Sequence, residues 1–382
     1  GALGFTTSRS GNHMTSDDRP VASRAADWEE VRALVGVMGD LGAGIFEMAN
    51  EAHADQQQRV DYWNRMGDLA VESGRPMTFV IGYSPSTPDL WRQYLRLLDD
   101  SARRGGRMIG QVHSREFLSV VGFKVRLPFD GLPAWRELRS RPLDGQRAGL
   151  SDADLRARLV DEALHGPYGT AIGAEARAPS YDILRVLDSP EGPWPTVAEL
   201  AAERGTTPVD VMIDLSLSSD FDQLFSQPFA NQDPDVVLAM IRHPRTVVGV
   251  SDSGAHVSQI MDSSIPTYLL AHWVRRTEAL GWEDAIRLLT FDPASAWGLH
   301  DRGLIQEGFV GDLVVFDPTR IGPGQPHGAS DLPSGAKRLT QKATGIKATV
   351  VNGEILMRDG EHTGALPGRL LRGPLATRPT RG

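Results

Sequence analysis

The sequence contains no cysteine, which excludes disulfide bonds, thiolate nucleophiles and cysteine metal ligands. No apolar run comes close to the roughly twenty residues that a membrane-spanning helix needs. The net charge of -9, without any long basic run, argues against a surface that binds nucleic acid. No P-loop, no G-x-G-x-x-G after a strand and no G-x-S-x-G motif occurs, so nothing supports nucleotide binding or a serine nucleophile. These absences predict a cytoplasmic protein with no nucleic-acid or membrane partner.

The composition is that of an ordinary globular protein. The chain has 382 residues, 40% of them hydrophobic and 23% charged, which is enough for two or three domains or for one large barrel with a satellite. Its first third alternates short apolar runs with amphipathic segments of ten to fifteen residues. This alternation predicts βαβ units and a parallel sheet. The predicted strands are "GALGFTT", "GAGIFEMANE", "RPMTFVIGYS" and "RMIGQVHSR".

The pattern changes twice along the rest of the chain. Between about residues 125 and 243, short helical pieces are separated by Pro-rich and Gly-rich loops, which predicts a long insertion over one end of the sheet. After Leu304, short alternating strands with Gly and Asp turns predict a small all-β module. We therefore expect a main domain at 1–304, with the insertion at about 125–243, and a β domain with an extended tail at 305–382.

The segment "TVVGVSDSGAHV" combines a buried strand with polar residues. Its valines predict the strand, and Asp252 follows directly. A carboxylate at the carboxyl end of a buried strand is where α/β barrels place their chemistry. From these residues alone, an Asp that merely caps the next segment is an equally good interpretation.

The strongest family signal lies near the carboxyl terminus. "LLTFDPASAWGLHDRGLIQEGFVGDLVVFD" resembles the closing signature of the amidohydrolase superfamily, with Gly311 where that family usually has Ala, and "VVNGEILMRDG" resembles the strand pair that follows. Within the superfamily, "GALGFTTS", "SDSGAHV" and "TGALPGRLLRG" are similar to elements of the N-acyl-D-amino-acid deacylase (D-aminoacylase) branch.

This resemblance implies a (β/α)8 TIM-type barrel with a small β-sandwich domain at the carboxyl-terminal end. On that template the chain holds barrel strands four to eight. The first three strands would precede Gly1, so we expect the chain to be a fragment that lacks its amino-terminal part.

The resemblance also implies Zn²⁺, as one or two divalent metals that polarise the amide carbonyl and acidify a bound water. Asp252 corresponds to the metal ligand that also serves as general base and then general acid. Glu47 stands where the family usually has a histidine ligand, whereas Gly82 or Tyr83 stands near the next one, so a second metal site is doubtful. His113 is a candidate replacement ligand. The candidates for contact with a small-molecule substrate are Arg115, His256, Arg9 and His13.

The leading hypothesis is therefore a metal-dependent amidohydrolase that cleaves the non-peptide C–N bond of an N-acyl amino acid, with an N-acyl-D-amino acid as the expected substrate. One alternative is a hydrolase of a cyclic amide, a carbamate or an ester. Another is a binding protein that has kept the fold and lost its ligands. The oligomeric state is not predicted.

Overall fold

The computed structural model describes residues 3–11, 13–15, 19–51, 55–168, 177–251, 257–258 and 263–371. Its described strands are β1 Gly4–Ser8, β2 Ile45–Ala49, β3 Met77–Ile81, β4 Met108–Val112, β5 Phe117–Gly122, β6 Arg185–Leu187, β7 Leu224–Ala230, β8 Thr246–Val248, β9 Leu313–Phe316, β10 Gly322–Pro323, β11 His327–Ala329, β12 Arg338–Thr340, β13 Ala343–Thr344, β14 Ile346–Val351, β15 Glu354–Arg358 and β16 Glu361–His362.

The described α-helices are α1 Trp28–Leu41, α2 Gln56–Ser73, α3 Leu90–Arg103, α4 Pro133–Arg139, α5 Leu143–Ser151, α6 Ala153–His165, α7 Val197–Arg204, α8 Pro208–Ser218, α9 Pro234–Ile241, α10 Ile265–Tyr268, α11 Trp282–Leu289 and α12 Phe291–Ala296. A π-helix, Leu269–Arg276, continues α10. Short 3-10 helices occur at Ala22–Ala25 and Pro333–Gly335. Among the described helices, none is both long and apolar enough to cross a membrane.

Five parallel strands form the main sheet, in the order β1-β2-β3-β4-β8. Each of the first three strands is followed by a helix, and local sequence signals specify both ends of the first two of these helices. The Asp27 carboxylate caps α1 by accepting the backbone N–H of Glu30 at 2.8 Å, and Gly42 ends that helix at φ 63°. Asp55 and Gly74 begin and end α2 in the same way. These local signals produce the predicted βαβ alternation.

The two faces of this sheet differ in polarity because successive side chains of a strand alternate in direction. Phe46, Met77 and Phe79 belong to the helix-side core, and all three are fully buried. On the strands that carry them, Glu47 and Thr78 take the alternate positions, and these two residues are register partners. The face away from the helices is therefore partly polar.

Between β4 and β8 the chain builds a second sheet, antiparallel and ordered β5-β7-β6. Helices α4 to α8 pack with it around a separate hydrophobic core. Trp135, Phe123 and Phe225 are among its fully buried members. Asn231, directly after β7, connects this unit to the ends of the parallel strands.

The carboxyl-terminal strands form an antiparallel sheet in the order β16-β15-β14-β9. Its β14–β15 hairpin turns at Asn352 and Gly353, with φ values of 49° and 81°. Positive φ at both central residues is the type I′ geometry that Asn-Gly favours, and the hairpin agrees with the strand pair expected for "VVNGEILMRDG". A two-layer sandwich in this region stays a prediction.

Candidate functional site

The candidate site lies at the carboxyl ends of the parallel strands, the edge at which open and closed α/β sheets bind ligands. Glu47 is on β2, His113 follows β4 directly, and Arg9 follows β1. The predicted residues Asp252 and His256 lie outside the described residues. The chain just before them leaves β8 through Val250, whose φ is 55°. A β-branched residue in this left-handed region is a strained outlier, and such strain concentrates at functional sites.

Glu47 is held by a side chain two strands away. Gln111 on β4 donates from Nε2 to Glu47 Oε1 at 2.9 Å, and to Thr78 Oγ1 on β3 at 3.1 Å. The Thr78 hydroxyl in turn donates to the carbonyl oxygen of Ile109 at 3.0 Å. Thr78 is buried, whereas Glu47 and Gln111 are half-buried. The side chains of Glu47, Thr78 and Gln111 together form a polar row on the partly polar face of the sheet, and Glu47 supplies its carboxylate.

His113 is fully buried, and its ring packs on Phe117 with centroids 4.6 Å apart. Its Nδ1 lies 3.2 Å from the backbone nitrogen and 3.0 Å from the carbonyl oxygen of Arg115. Because the main chain of Arg115 engages Nδ1, any metal-ligand role of His113 falls to Nε2.

Arg115 is also buried, with 4% of its surface exposed. Its Nη1 donates to Ser264 Oγ at 3.0 Å, and its guanidinium carbon lies 4.5 Å from the centre of the Tyr268 ring. These contacts join the segment after β4 to the start of α10. The neighbouring Ser114 strengthens the joint, since its hydroxyl donates to the carbonyl oxygen of Ile265 at 2.8 Å.

Asn231 links three parts of this edge and is itself 1% exposed. Its Oδ1 accepts the backbone N–H of Tyr83 at 2.8 Å, and its own N–H donates to the Tyr83 carbonyl at 2.8 Å. Its Nδ2 donates to the carbonyl oxygen of Arg115 at 3.3 Å. Asn231 therefore ties the ends of β3 and β4 to the antiparallel unit.

Arg9 makes a different set of contacts from Arg115. Its Nε lies 2.8 Å from Glu51 Oε1, and its Nη1 donates to the carbonyl oxygen of Ala26. Together with Trp28 and Tyr62 it lines a cavity of about 220 Å³. Burial, with a further contribution from Glu51, raises the pKa of the Tyr62 phenol well above its ordinary value.

His13 is exposed, and its backbone N–H donates to the carbonyl oxygen of Ser10 at 3.1 Å. Among the predicted residues, the structure thus joins His113 with Arg115, while Glu47 and Arg9 have other partners. Gln111, Thr78 and Asn231 were not predicted as site residues. The sequence marks Gln111 as the polar residue of an otherwise apolar strand, but it does not reveal which residue Gln111 contacts.

Among the described residues, no three His, Asp or Glu side chains lie close enough together to hold a metal ion. The carboxylate of Glu47 is chemically suited to zinc, and within the described part of the chain it accepts a hydrogen bond from Gln111. The described residues thus contribute one well-placed candidate ligand, and the others in the predicted set are Asp252, outside the described residues, and His113 through Nε2.

Residues 184–357 match the profile of the Amidohydrolase family. D-aminoacylase of Alcaligenes xylosoxydans xylosoxydans is 30% identical over 175 residues, which make up 45% of this chain and 33% of that protein. N-acyl-D-glutamate deacylase of the same organism is 29% identical over 234 residues, or 59% of this chain and 44% of that protein. The matched parts thus span about a third of the first of these curated relatives and less than half of the second.

Two solved structures share the fold at 18% identity. A crystal structure of D-aminoacylase superposes with a TM-score of 0.53, covering 97% of this chain and 62% of that one. N-acyl-D-glutamate deacylase from Bordetella bronchiseptica, complexed with zinc and a phosphonate inhibitor, superposes with a TM-score of 0.51 over 92% of this chain and 61% of that one. Together with the five parallel strands, this likeness confirms a TIM-barrel-like α/β fold. Over residues 184–357 the chain is therefore similar to the Amidohydrolase family, as its closing signature predicted, and over part of its length it is similar to D-aminoacylase, as the other quoted motifs predicted.

Proposed function

We propose that this chain belongs to a hydrolase that cleaves the amide bond of a small N-acyl amino acid, with the D enantiomer as the preferred substrate. Three curated relatives are named D-aminoacylase, N-acyl-D-aspartate deacylase and N-acyl-D-glutamate deacylase. The observation that carries the proposal at the level of the site is the half-buried Glu47 carboxylate, which lies in the middle of β2 on the partly polar face of the parallel sheet and accepts a hydrogen bond from Gln111 there.

The residues divide the work as follows. We assign Glu47 and Asp252 as zinc ligands, with His113 as a third candidate through Nε2. Zinc, when bound, polarises a carbonyl group and lowers the pKa of water. Asp252 accepts the proton of the attacking water and returns it to the departing nitrogen. The strained backbone at Val250 fixes the direction in which the chain leaves β8 before it reaches Asp252.

Substrate binding is assigned to the loops at the same edge. Arg9 and His13, after β1, and His256, after β8, are the candidates for direct contact with the substrate. Arg115 is a candidate for the substrate carboxylate, since its guanidinium could form a paired hydrogen bond. Its burial against Tyr268 and Ser264 favours a contribution through the position of α10.

The test measures hydrolysis and metal content in the same purified protein. Release of free amino acid is followed for matched N-acetyl-D- and N-acetyl-L-amino acids, and zinc is quantified by elemental analysis. Glu47→Gln and Asp252→Asn should each lower kcat/KM by about a hundredfold or more, because each removes a ligand or a proton acceptor that acts in the transition state.

Glu72→Gln is the matched control for these variants. Glu72 is an exposed acid on α2 that pairs with Arg32 at 3.0 Å, so its loss should leave activity unchanged. Hydrolysis of cyclic amides or esters without hydrolysis of N-acyl amino acids would move the assignment to the first alternative. A folded protein with no hydrolysis and no zinc, after purification with zinc present, would refute the proposal and favour a binding protein.

A further inference from the structure

Gln111 is a residue without catalytic chemistry of its own that sits at the centre of the polar row. Its two amide hydrogens are both used, one by Glu47 Oε1 at 2.9 Å and one by Thr78 Oγ1 at 3.1 Å. The Thr78 hydroxyl hydrogen is committed to the carbonyl oxygen of Ile109, so its oxygen must act as the acceptor for Gln111. This chain of bonds determines which end of the Gln111 amide faces Glu47.

The chain of bonds is anchored at its buried end. Thr78 is 2% exposed and lies in β3, between the strands that carry Glu47 and Gln111. Neighbouring strands are about 4.8 Å apart, so β2 and β4, on either side of β3, are about 9.6 Å apart, and no backbone pairing joins Glu47 to Gln111. Gln111 has to reach across β3, and Thr78 supports its side chain on the way.

We propose that Gln111 is a positioning residue that holds the Glu47 carboxylate in the orientation the hydrolytic site requires. This inference rests on the proposed function, because it needs Glu47 to act there. Thr78 supports Gln111, and Glu47 is the group through which both residues affect the reaction. A glutamine suits this task since it donates hydrogen bonds without titrating, so its hold on the carboxylate does not depend on pH.

The expected effect of losing this support is moderate and falls on one kinetic constant. Groups that orient a metal ligand typically change affinity or activity by about ten- to a hundredfold when they are removed. Gln111→Leu keeps similar bulk and removes both donors. It should therefore lower kcat and zinc affinity by about ten- to a hundredfold and leave KM within about threefold. Gln111→His, which retains one ring N–H donor, should recover part of that loss.

A double-mutant cycle separates positioning from general structural damage. The cycle uses wild type, Gln111→Leu, Glu47→Gln and the double variant, each checked for an unchanged unfolding midpoint. If Gln111 acts through Glu47, then Gln111→Leu in the Glu47→Gln background should change residual kcat and zinc affinity by less than about threefold. Thr78→Val removes the acceptor that supports Gln111, together with the bond to the Ile109 carbonyl, and leaves Gln111 itself in place, so it should give a smaller loss in the same direction.

The outcomes distinguish this inference from the function on which it rests. An active wild type in which the two single effects simply multiply would overturn the positioning role and leave the proposed function standing. A Gln111→Leu variant with wild-type kcat and zinc affinity would do the same. A wild type with neither hydrolysis nor zinc would overturn both.

Discussion

Asn231 is the residue at which a single substitution should separate backbone strain from hydrogen bonding. It is 1% exposed, adopts φ 63°, and bonds to the backbone of Tyr83 and of Arg115. Asn tolerates the left-handed region better than other side-chain-bearing residues. Asn231→Ala removes the side-chain bonds and also places a less tolerant residue there, whereas Asn231→Gly removes the bonds and relieves the backbone.

The size of each effect follows from these contacts. Without Oδ1, the N–H of Tyr83 loses its 2.8 Å acceptor in a part-buried position, which costs about 2 kcal/mol. The longer bond from Nδ2 to Arg115 contributes about 0.5 kcal/mol, and holding Ala at positive φ costs about a further 1 kcal/mol. We expect Asn231→Ala to lower the free energy of unfolding by about 3.5 kcal/mol, and Asn231→Gly by about 2.5 kcal/mol.

Urea unfolding followed by tryptophan fluorescence measures both variants under the same conditions. Gln232→Ala, at the next residue along the chain, is the control for loss of side-chain bulk in this segment. Equal losses for Ala and Gly would refute the strain component. Losses below about 1 kcal/mol for both would refute the role of Asn231 as the link between β7 and the ends of β3 and β4.

Two other variants test the second core and the region around α10. Arg139 and Asp130 form an almost buried ion pair at 2.8 Å, and Arg139 also donates to the carbonyl oxygens of Phe123 and Val125. Arg139→Met should therefore lower the free energy of unfolding, measured by denaturant titration, by about 3–5 kcal/mol. The control is Arg92→Met in the exposed pair with Asp89, which should lower it by less than about 1 kcal/mol. Burial, with contributions from Arg276 and Arg115, lowers the pKa of His272 to about 4. As the pH falls from about 6.5 to about 4, His272 is protonated in the unfolded chain but stays neutral in the folded chain, so the free energy of unfolding decreases as the pH falls through this window. His272→Phe, which can keep the contacts with Tyr268 and Trp273, should flatten this fall in unfolding midpoints measured at several pH values, and an unchanged slope would contradict the assignment.

The parallel strands and their helices were predictable because their signals are local. Asp27, Gly42, Asp55 and Gly74 begin and end two helices through bonds within one turn, and apolar runs mark the strands between them. The pairing of β5 with β7 could not be predicted in this way. Phe117 and Ala230 are register partners across more than a hundred residues, and neither local pattern identifies the other strand.

The site was predictable to the extent that a charged residue stands out in an apolar strand. Glu47 was found because a carboxylate interrupts the run "GAGIFEMANE", and it lies in the middle of β2. The partner that holds it was missed because hydrogen bonding across β3 depends on register, and a lone Gln in a strand does not reveal its register. The strand predicted to run into Asp252 ends at Val248, and the positive φ of Val250 depends on tertiary contacts that a β-branched residue does not suggest.

Burial distinguishes the roles of two neighbouring polar residues at the carboxyl end of β4. Gln111 lies in β4, and His113 follows the end of that strand. Gln111 is half-buried, whereas His113 is fully buried. His113 and Arg115 use hydrogen bonds to hold each other and the start of α10, and a buried group engaged in this way is costly to redirect toward a ligand. Glu47 and Gln111 keep part of their surface open to an incoming molecule. Because catalysis requires contact with the substrate whereas rigidity requires burial, the Glu47–Gln111 pair is the better place to look for chemistry, and the His113–Arg115 pair is the better place to look for the rigidity that supports it.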